Sequence, residues 1–343
     1  MGNHLEISLR NTIGIIIPAY NCEQHIGATL DSILAQTYKE WTVTVVNDGS
    51  TDKTEEILAK YAAAHSNIRY TTIRNTGSAH IPRLTAARLS NEDWLCNIDA
   101  DDTIEPRFLE KMITRAMETG ADVVCPIMLY TTFSGLVFNQ IPSQTFDFRR
   151  IYTGHEAARL TFQSGAGSLI ATNGMLCRKE LYTPLLAEMK KSRYVYQDEV
   201  DDLLLLLRAK YVVCCKAIYT YYRNEHSVTH TYSVKTYDKL LTEIEYNALI
   251  KTHFPERSIQ ALGDARFLDV ILGRRMKYLS EEQYFNLEDR KKINSMFRTA
   301  YAHVRRSMVP SRHKLHIFFI GGRHFFNLIT RLYYFIRKTK ERP

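Results

Sequence analysis

The chain has 343 residues, of which 45% are hydrophobic and 24% are charged, within the ordinary globular range. That length allows one large domain with an appendage, or two domains, with enough residues to bury a core. Arg and His interrupt the apolar runs, which excludes a clean transmembrane span. Met1 to Arg10 contain no apolar stretch, so we expect no secretory signal.

Positive charge is concentrated near the C-terminal end. Of the net charge of +8, the segment from Arg290 to Pro343 carries +13, with 14 Lys and Arg against the single acid Glu341. Residues 1–289 are therefore acidic, at −5. The cysteines form no CxxC pair and no zinc-like spacing, which favours reduced, packed thiols and a cytosolic location. They are Cys22, Cys96, Cys125, Cys177, Cys214 and Cys215.

The first 130 residues alternate apolar runs with helical stretches. Strands separated by helices indicate βαβ units and a mostly parallel sheet, in which ligands bind beyond the carboxyl ends of the strands. The predicted strands are 13–17, 41–46, 68–73, 94–98 and 122–127, and the helices between them include 23–36, 52–64 and 106–119. Further on, the pattern predicts strand and loop over 129–151, helices over 154–163 and 198–211, a strand over 212–223, and mainly helices from 235.

Three carboxylates follow the fourth predicted strand, at Asp99, Asp101 and Asp102. At this spacing they repel one another, which favours a bound cation, and hard oxygen ligands suit Mg²⁺ or Mn²⁺. Such an ion neutralises a diphosphate leaving group. For this motif alone, a solvated acidic turn is the alternative.

Polar residues also follow the first two predicted strands. Asp52 with Glu55 fits a capping box at the start of a helix. Asp48 has no such duty, so its carboxylate can accept a hydrogen bond from a base N–H. Tyr20 can stack on that base, with a buried tyrosine at the sheet edge as the alternative. Arg83 lies near a helix start, where the dipole disfavours a cation, so we expect an anion such as a diphosphate beside it, or else a surface arginine.

In combination these motifs resemble the family 2 glycosyltransferases, nucleotide-diphospho-sugar transferases with the GT-A fold. The resemblance rests on Ile15 to Asn21 (IIIPAYN), Val46 to Asp52 (VNDGSTD), Asn75 to Gly77 (NTG), Pro82 to Leu84 (PRL) and Asp99 to Asp102 (DADD). The arginine of the third-to-fourth strand segment is kept, whereas its usual flanking Ala and Asn are not. The resemblance implies an α/β fold with a Rossmann-like, mostly parallel sheet flanked by helices, and a C-terminal helical extension.

The resemblance also implies a site for a nucleotide-sugar and for Mn²⁺ or Mg²⁺. It gives base contacts to Tyr20 and Asp48, and metal ligation to Asp101. Arg83 would contact the diphosphate and Asp99 the ribose. The full implied set is Pro18, Tyr20, Asn21, Asp48, Asn75, Arg83, Asp99, Ala100 and Asp101.

In its second half the family carries a Glu-Asp pair that opens a helix, and the Asp is the catalytic base. The spacing to Tyr221-Tyr222-Arg223 selects Asp198 here, while Gln197 replaces the usual Glu. Glu199, Asp201 and Asp202 are rivals, the last two being interpreted as helix-start acids. The candidate acceptor or sugar contacts are Asn173, Gly174, Gln197 and Arg223, and a turn before a strand is the alternative for Asn173-Gly174. His226 is a further candidate metal ligand, with a surface histidine as the alternative.

Residues 313–340 alternate aromatic and aliphatic side chains with cations at roughly helical spacing. This favours a helix lying on an anionic membrane; a helix packed on the catalytic domain is the alternative, and no nucleic-acid motif accompanies it. We expect a catalytic domain over 1–230, with a nucleotide-sugar part at 11–130 and an acceptor part at 131–230, and a helical region over 231–343.

The resulting prediction is an inverting transfer of a sugar from a UDP-sugar to a glycan or lipid-linked acceptor in surface polysaccharide biosynthesis. The enzyme would be cytoplasmic and peripheral on the inner face of the cell membrane. dTDP would satisfy the same Asp48 contact as UDP. One alternative, a nucleotidyltransferase, would need a Gly-rich loop where Pro18 to Asn21 stand. The other is a non-catalytic nucleotide-sugar-binding protein.

Overall fold

The computed structural model describes residues 11–132, 134–142, 147–162, 170–188, 194–223 and 232–307. The chain divides into two compact units. The sheet unit comprises Met1–Leu160, Ser168–Ser192 and Asp201–Asn224, and the helical unit comprises Thr161–Gly167, Arg193–Val200 and Glu225–Pro343. The domain boundary expected after residue 230 falls outside the described residues and stays a prediction.

The sheet unit is built on a sheet whose main path runs β3-β2-β1-β4-β9-β6-β10-β5, with β7 beside β6 and β8 beside β10. β1 to β4 pair in parallel, as do β6 and β10. β9 runs antiparallel between β4 and β6. The strands are β1 Ile13–Ala19, β2 Trp41–Asn47, β3 Ile68–Thr72, β4 Trp94–Asn97, β5 Thr103–Ile104, β6 Val123–Thr131, β7 Val137–Ile141, β8 Ile151–Thr153, β9 Leu176–Arg178 and β10 Tyr211–Tyr222.

Helices cover this sheet as the alternating pattern predicts. They are α1 Ile26–Leu34, α2 Thr54–Ala64, α3 His80–Leu89, α4 Phe108–Thr119, α5 Gly154–Leu160 and α6 Thr183–Glu188, and a 3₁₀ turn spans Lys179–Tyr182. Every residue of β1 is buried, as expected for a central strand covered on both faces. The predicted α/β fold with a mostly parallel sheet is confirmed. The antiparallel strands β5, β7, β8 and β9 are short, and the sequence shows no hydrophobic period for them.

The predicted capping box is wrong. α2 begins at Thr54, and the residue before it, Lys53, makes no side-chain cap. Asp52 instead accepts a hydrogen bond from the Thr54 N–H at 3.0 Å, while Glu55 accepts one from the Thr72 hydroxyl at 2.9 Å. Asp52 therefore stabilises the turn before the helix, and Glu55 ties α2 to β3.

The helical unit consists of α8 Lys239–His253, α9 Arg257–Glu281 and α10 Leu287–Ser307, with 3₁₀ turns at Val234–Asp238 and Glu282–Tyr284. Its core is rich in aromatic rings, among them Tyr237, Phe267, Tyr278 and Phe297. The remaining helix, α7 Gln197–Arg208, begins in this unit and passes into the sheet unit at Asp201.

Two further expectations concern thiols and membranes. All six cysteines lie in described segments, are buried and form no disulfide bonds, which confirms packed thiols. Within the ranges given above, no helix has the length and apolarity to cross a bilayer. Residues 308–343, which include the predicted amphipathic tail, and His226 lie outside those ranges.

Candidate functional site

Asp48 stands at the carboxyl end of β2, where the parallel register places Ala19 beside Asn47. It is 3% exposed, and its carboxylate accepts hydrogen bonds from the Thr76 N–H at 2.8 Å and from the Thr76 hydroxyl at 3.0 Å. The Asn75 amide donates to the Asp48 carbonyl at 3.0 Å. Asp48 thus holds the turn after β3, a duty that its sequence context did not reveal.

Tyr20 and Asn21 follow β1. Tyr20 is 49% exposed, so the alternative of a buried tyrosine is wrong. The Asn21 side-chain oxygen accepts a hydrogen bond from the Thr51 N–H at 2.8 Å, and the Asn21 N–H donates to the Ser50 hydroxyl at 2.9 Å. Asn21 therefore ties together the loops after β1 and β2, while Pro18 lies buried in β1.

Arg83, on the first turn of α3, meets an anion of its own chain. Its Nε donates to the Asn97 side-chain oxygen at 2.8 Å, and its guanidinium pairs with the Asp99 carboxylate at 3.0 Å. Arg83 is 7% exposed, so the surface-arginine alternative is wrong. The second Asp99 oxygen accepts a hydrogen bond from the Asn173 amide at 3.2 Å. The structure therefore brings three predicted site residues, Arg83, Asp99 and Asn173, into one group.

Asp102 is a fully buried acid. Its carboxylate accepts hydrogen bonds from the Tyr219 hydroxyl at 2.6 Å and from the Tyr222 N–H at 3.1 Å. Burial, together with the charges of Asp99 and Asp101, raises the pKa of Asp102 well above its ordinary value. The solvated-turn alternative is therefore wrong for Asp102, which anchors the segment, whereas Asp99 and Asp101 are only partly buried.

The backbone around Asp99 to Asp102 is held from two sides. The Asp99 N–H donates to the Tyr219 hydroxyl at 3.1 Å, and the Ala100 carbonyl accepts a hydrogen bond from Thr29 at 3.0 Å. Ala100 is 7% exposed, so it contributes to the site through its backbone. We call this segment, with Arg83 and Asn173, the acidic edge.

Gly174 makes the approach of Asn173 possible. Its φ is +72°, and an added Cβ would lie 2.5 Å from a ring carbon of Tyr219. The predicted turn before a strand is confirmed, since β9 begins at Leu176. The same turn delivers Asn173 to Asp99.

The acids of α7 separate into different environments. Asp201 is 6% exposed and pairs with His80 of α3 at 2.7 Å, so its interpretation as a helix-start acid is wrong. Glu199 forms ion pairs with Lys239 and Arg266. Asp198 is partly buried next to Gln197, which opens the helix. Arg223 follows β10 as an exposed side chain, and its N–H donates to the Thr131 carbonyl at 2.9 Å.

The acidic edge fits a divalent cation by its charge. No group of three or more His, Cys, Asp or Glu side chains arranged for a metal occurs within the described ranges. Mg²⁺, however, commonly takes only one or two carboxylates and completes its shell with water and substrate phosphates. Burial, together with the charges of Asp102, Asp101 and Asp99, raises the pKa of Tyr221 to about 12. Asp101 and Asp99 are the residues that could hold such an ion.

Sequence reasoning missed the residues that organise this edge. Tyr219 bonds both Asp102 and Asp99, yet it stands in a run of apolar and aromatic residues typical of an ordinary strand. One feature of the sequence could have indicated this role. Tyr219 lies two residues before Tyr221 of the Tyr-Tyr-Arg motif, and alternate residues of a strand lie on the same face. The pairing of His80 with Asp201 spans 121 residues, and no local pattern indicates it.

The architecture is that of the GT-A fold. The computed model is similar to the crystal structure of Staphylococcus aureus TarS residues 1–349 in complex with UDP-GlcNAc, with a TM-score of 0.61 at 19% identity, covering 85% of this chain and 81% of that one. The UDP complex of the same TarS fragment gives a TM-score of 0.58 at 19% identity, covering 85% of this chain and 83% of that one. At this identity the likeness shows the fold.

The sequence comparisons name the family. Residues 14–181 match the family described as Glycosyl transferase family 2. Glycosyltransferase GlyA of Streptococcus pneumoniae serotype 4 is 27% identical over 232 residues, which cover 65% of this chain and 32% of GlyA. Glycosyltransferase YibD of Escherichia coli K12 is 26% identical over 223 residues, 64% of this chain and 63% of YibD. The chain thus spans a third to two thirds of these two relatives.

Proposed function

We propose that the protein is an inverting glycosyltransferase that moves a sugar from a nucleotide diphosphate, with UDP-sugars as the expected donors, to a hydroxyl of a glycan or lipid-linked acceptor. The observation that carries this proposal is the convergence of Arg83, Asn173 and the Asp99–Asp102 segment at the acidic edge. TarS, whose structure has been solved with UDP-GlcNAc, shares the fold, which supports a nucleotide-sugar donor.

The charges of the acidic edge fit this chemistry. Arg83 supplies a fixed cation beside Asp99, and fixed donors near a leaving group stabilise the charge that develops there. A divalent Mg²⁺ or Mn²⁺ held by Asp101 would supply Lewis-acid stabilisation of the departing diphosphate. Exposed Tyr20 is suited to stacking on the base, and Asp48 to accepting its N–H.

The proposed reaction is a single displacement. Asp198 accepts the proton of the acceptor hydroxyl, whose oxygen forms a bond to the anomeric carbon. The bond between that carbon and the diphosphate oxygen breaks, and the electron pair leaves with the nucleotide. An α-linked donor would give a β-linked product. The spacing from Asp198 to Tyr221-Tyr222-Arg223, which matches the family pattern, supports Asp198 over Glu199, Asp201 and Asp202.

The donor is identified by thermal stabilisation with a panel of nucleotide-sugars in the presence of Mn²⁺, because only a ligand bound to the folded state raises the melting temperature. Asp101→Ala should abolish the metal-dependent part of that shift. Asp198→Asn should keep the shift and lose sugar transfer by about 10³-fold, at the scale of general-base catalysis. Transfer that survives Asp198→Asn removes Asp198 from the role of base.

The proposal extends to a membrane setting. The basic, aromatic segment 313–340 would place the enzyme on the inner face of the cell membrane, where surface polysaccharides are assembled on lipid carriers. Deletion of residues 311–343 should release the protein from sedimenting anionic vesicles. If the truncated protein still sediments with them, membrane binding by this segment is refuted.

A further inference from the structure

Both neighbours of Asp198 are anchored within the helical unit. On one side Gln197, which is 4% exposed, donates from Nε2 to a carboxylate oxygen of Glu245 on α8 at 3.3 Å. On the other side Glu199 bonds Arg266 of α9 at 2.5 Å and also pairs with Lys239 of α8. The first turn of α7 is thus held at the two positions on either side of the candidate base.

Helix geometry turns these two anchors into a constraint on the residue between them. Successive side chains on an α-helix are rotated by about 100°, because 3.6 residues complete a turn. Gln197 and Glu199 therefore point roughly 200° apart around the axis of α7. The two anchors together oppose rotation of this turn about its axis and so restrict the direction of Asp198.

The chemistry of the Gln197–Glu245 pair is matched. A glutamine amide donates to a carboxylate, whereas two carboxylates at this separation would repel each other. The buried Gln197 amide and the exposed Glu245 carboxylate therefore form a matched donor and acceptor.

We propose that Gln197 and Glu245 form a positioning pair for Asp198. The pair rests on the proposed function, in which Asp198 is the base. Neither residue is required to touch substrate. Glu199, with Lys239 and Arg266, provides the second anchor of the same turn.

A reciprocal swap tests the pair. In Gln197→Glu, two carboxylates face each other, and we expect kcat for UDP release from UDP-GlcNAc with Mn²⁺ to fall about tenfold while the donor KM changes less than twofold. The acidic limb of the kcat–pH profile should move to higher pH, because added negative charge favours protonated Asp198. The double variant Gln197→Glu with Glu245→Gln should recover kcat to within about threefold. The control, Gln283→Glu, adds the same charge at an exposed position of this unit.

The outcomes separate this proposal from the proposed function. A double variant no more active than Gln197→Glu, or a Gln197→Glu protein as active as the wild type, overturns the pair. If the wild type turns over no nucleotide-sugar, the proposed function fails, and the pair is then judged from the same cycle on unfolding free energies. A coupling free energy of zero between positions 197 and 245 overturns it there also.

Discussion

Two groups of charged residues in this molecule are built on opposite plans. At the acidic edge of the sheet unit, Asp99, Asp101 and Asp102 lie near Arg83, which pairs with Asp99. In the helical unit, two glutamates face two cations: Arg266 bonds Glu243 at 2.6 Å and Glu199 at 2.5 Å, and Lys239 pairs with both glutamates. The first group carries excess negative charge, and the second is neutral overall.

The pKa directions follow this difference. Burial and neighbouring acids raise the pKa of Asp102 well above its ordinary value. Burial also opposes ionisation of Glu199, yet Lys239 and Arg266 outweigh it and hold the pKa of Glu199 below its ordinary value. A group of charges with no net charge stabilises the fold, whereas a group with excess negative charge can be neutralised by a bound cation. This contrast separates a candidate site from a scaffold.

The largest expected effect comes from removing the turn that builds the acidic edge. In Gly174→Ala, a Cβ would lie 2.5 Å from the Tyr219 ring at a φ of +72°. Backbone strain and overpacking together should lower the free energy of unfolding by about 4 kcal/mol, measured by urea denaturation. The matched change Gly273→Ala, on α9 with nothing within 4 Å of the added Cβ, should instead gain up to about 1 kcal/mol. Equal losses in the two variants would contradict this account of Gly174.

Replacing one cation in each group sharpens the comparison. Arg83→Met and Arg266→Met each remove a cation that pairs with nearby carboxylates, and each should lower the free energy of unfolding by about 3 kcal/mol. Mn²⁺ should restore part of the loss in Arg83→Met, because the ion can take the place of the lost charge beside Asp99 and Asp101. It should restore none in Arg266→Met. Thermal unfolding with and without Mn²⁺ measures both, and equal rescue of the two variants would remove the distinction.

Local sequence patterns predicted the positions of the main strands and helices well. The β-branched runs of β1 and β2 and the helical period of α4 each coincide with an observed element, to within two or three residues at the ends. Parallel strands place their carboxyl ends together, so Asp48 and Asp99 could be assigned to one edge before any coordinates were known. The resemblance of the motifs to those of family 2 glycosyltransferases then implied the GT-A fold.

The contacts that organise the candidate site could not be predicted in the same way. Tyr219 reaches Asp102 from 117 residues away, and Glu245 reaches Gln197 from 48 residues away. Such pairings depend on the packing of distant elements, and a period of 2 or 3.6 residues holds no information about them. The predicted capping box was wrong because Glu55 accepts a hydrogen bond from the Thr72 hydroxyl at 2.9 Å instead.

The smallest expected effect concerns Asp238, an acid of the helical unit, and tests whether its ionisation lowers the free energy of unfolding. Burial raises the pKa of Asp238, at the start of α8, from 3.8 to about 6, against the opposing effects of the Val195 N–H and Lys235. Between about pH 4 and pH 6 the native state therefore binds more protons than the unfolded state, so the free energy of unfolding falls as pH rises through this window. Because Asp238 is only partly buried, solvent screening reduces the penalty to about 1 kcal/mol.

Asp238→Asn removes this titration and keeps an oxygen that can accept from Val195. Its free energy of unfolding, relative to the wild type, should therefore improve by about 1 kcal/mol between pH 4.5 and pH 7, because every other titrating group is common to both proteins. Urea denaturation at the two pH values measures the difference, and Mn²⁺ should leave it unchanged. A difference that is constant with pH would show that Asp238 titrates normally. A difference that Mn²⁺ abolishes would mean that excess negative charge binds cations in the helical unit too, and the contrast with the acidic edge would then be lost.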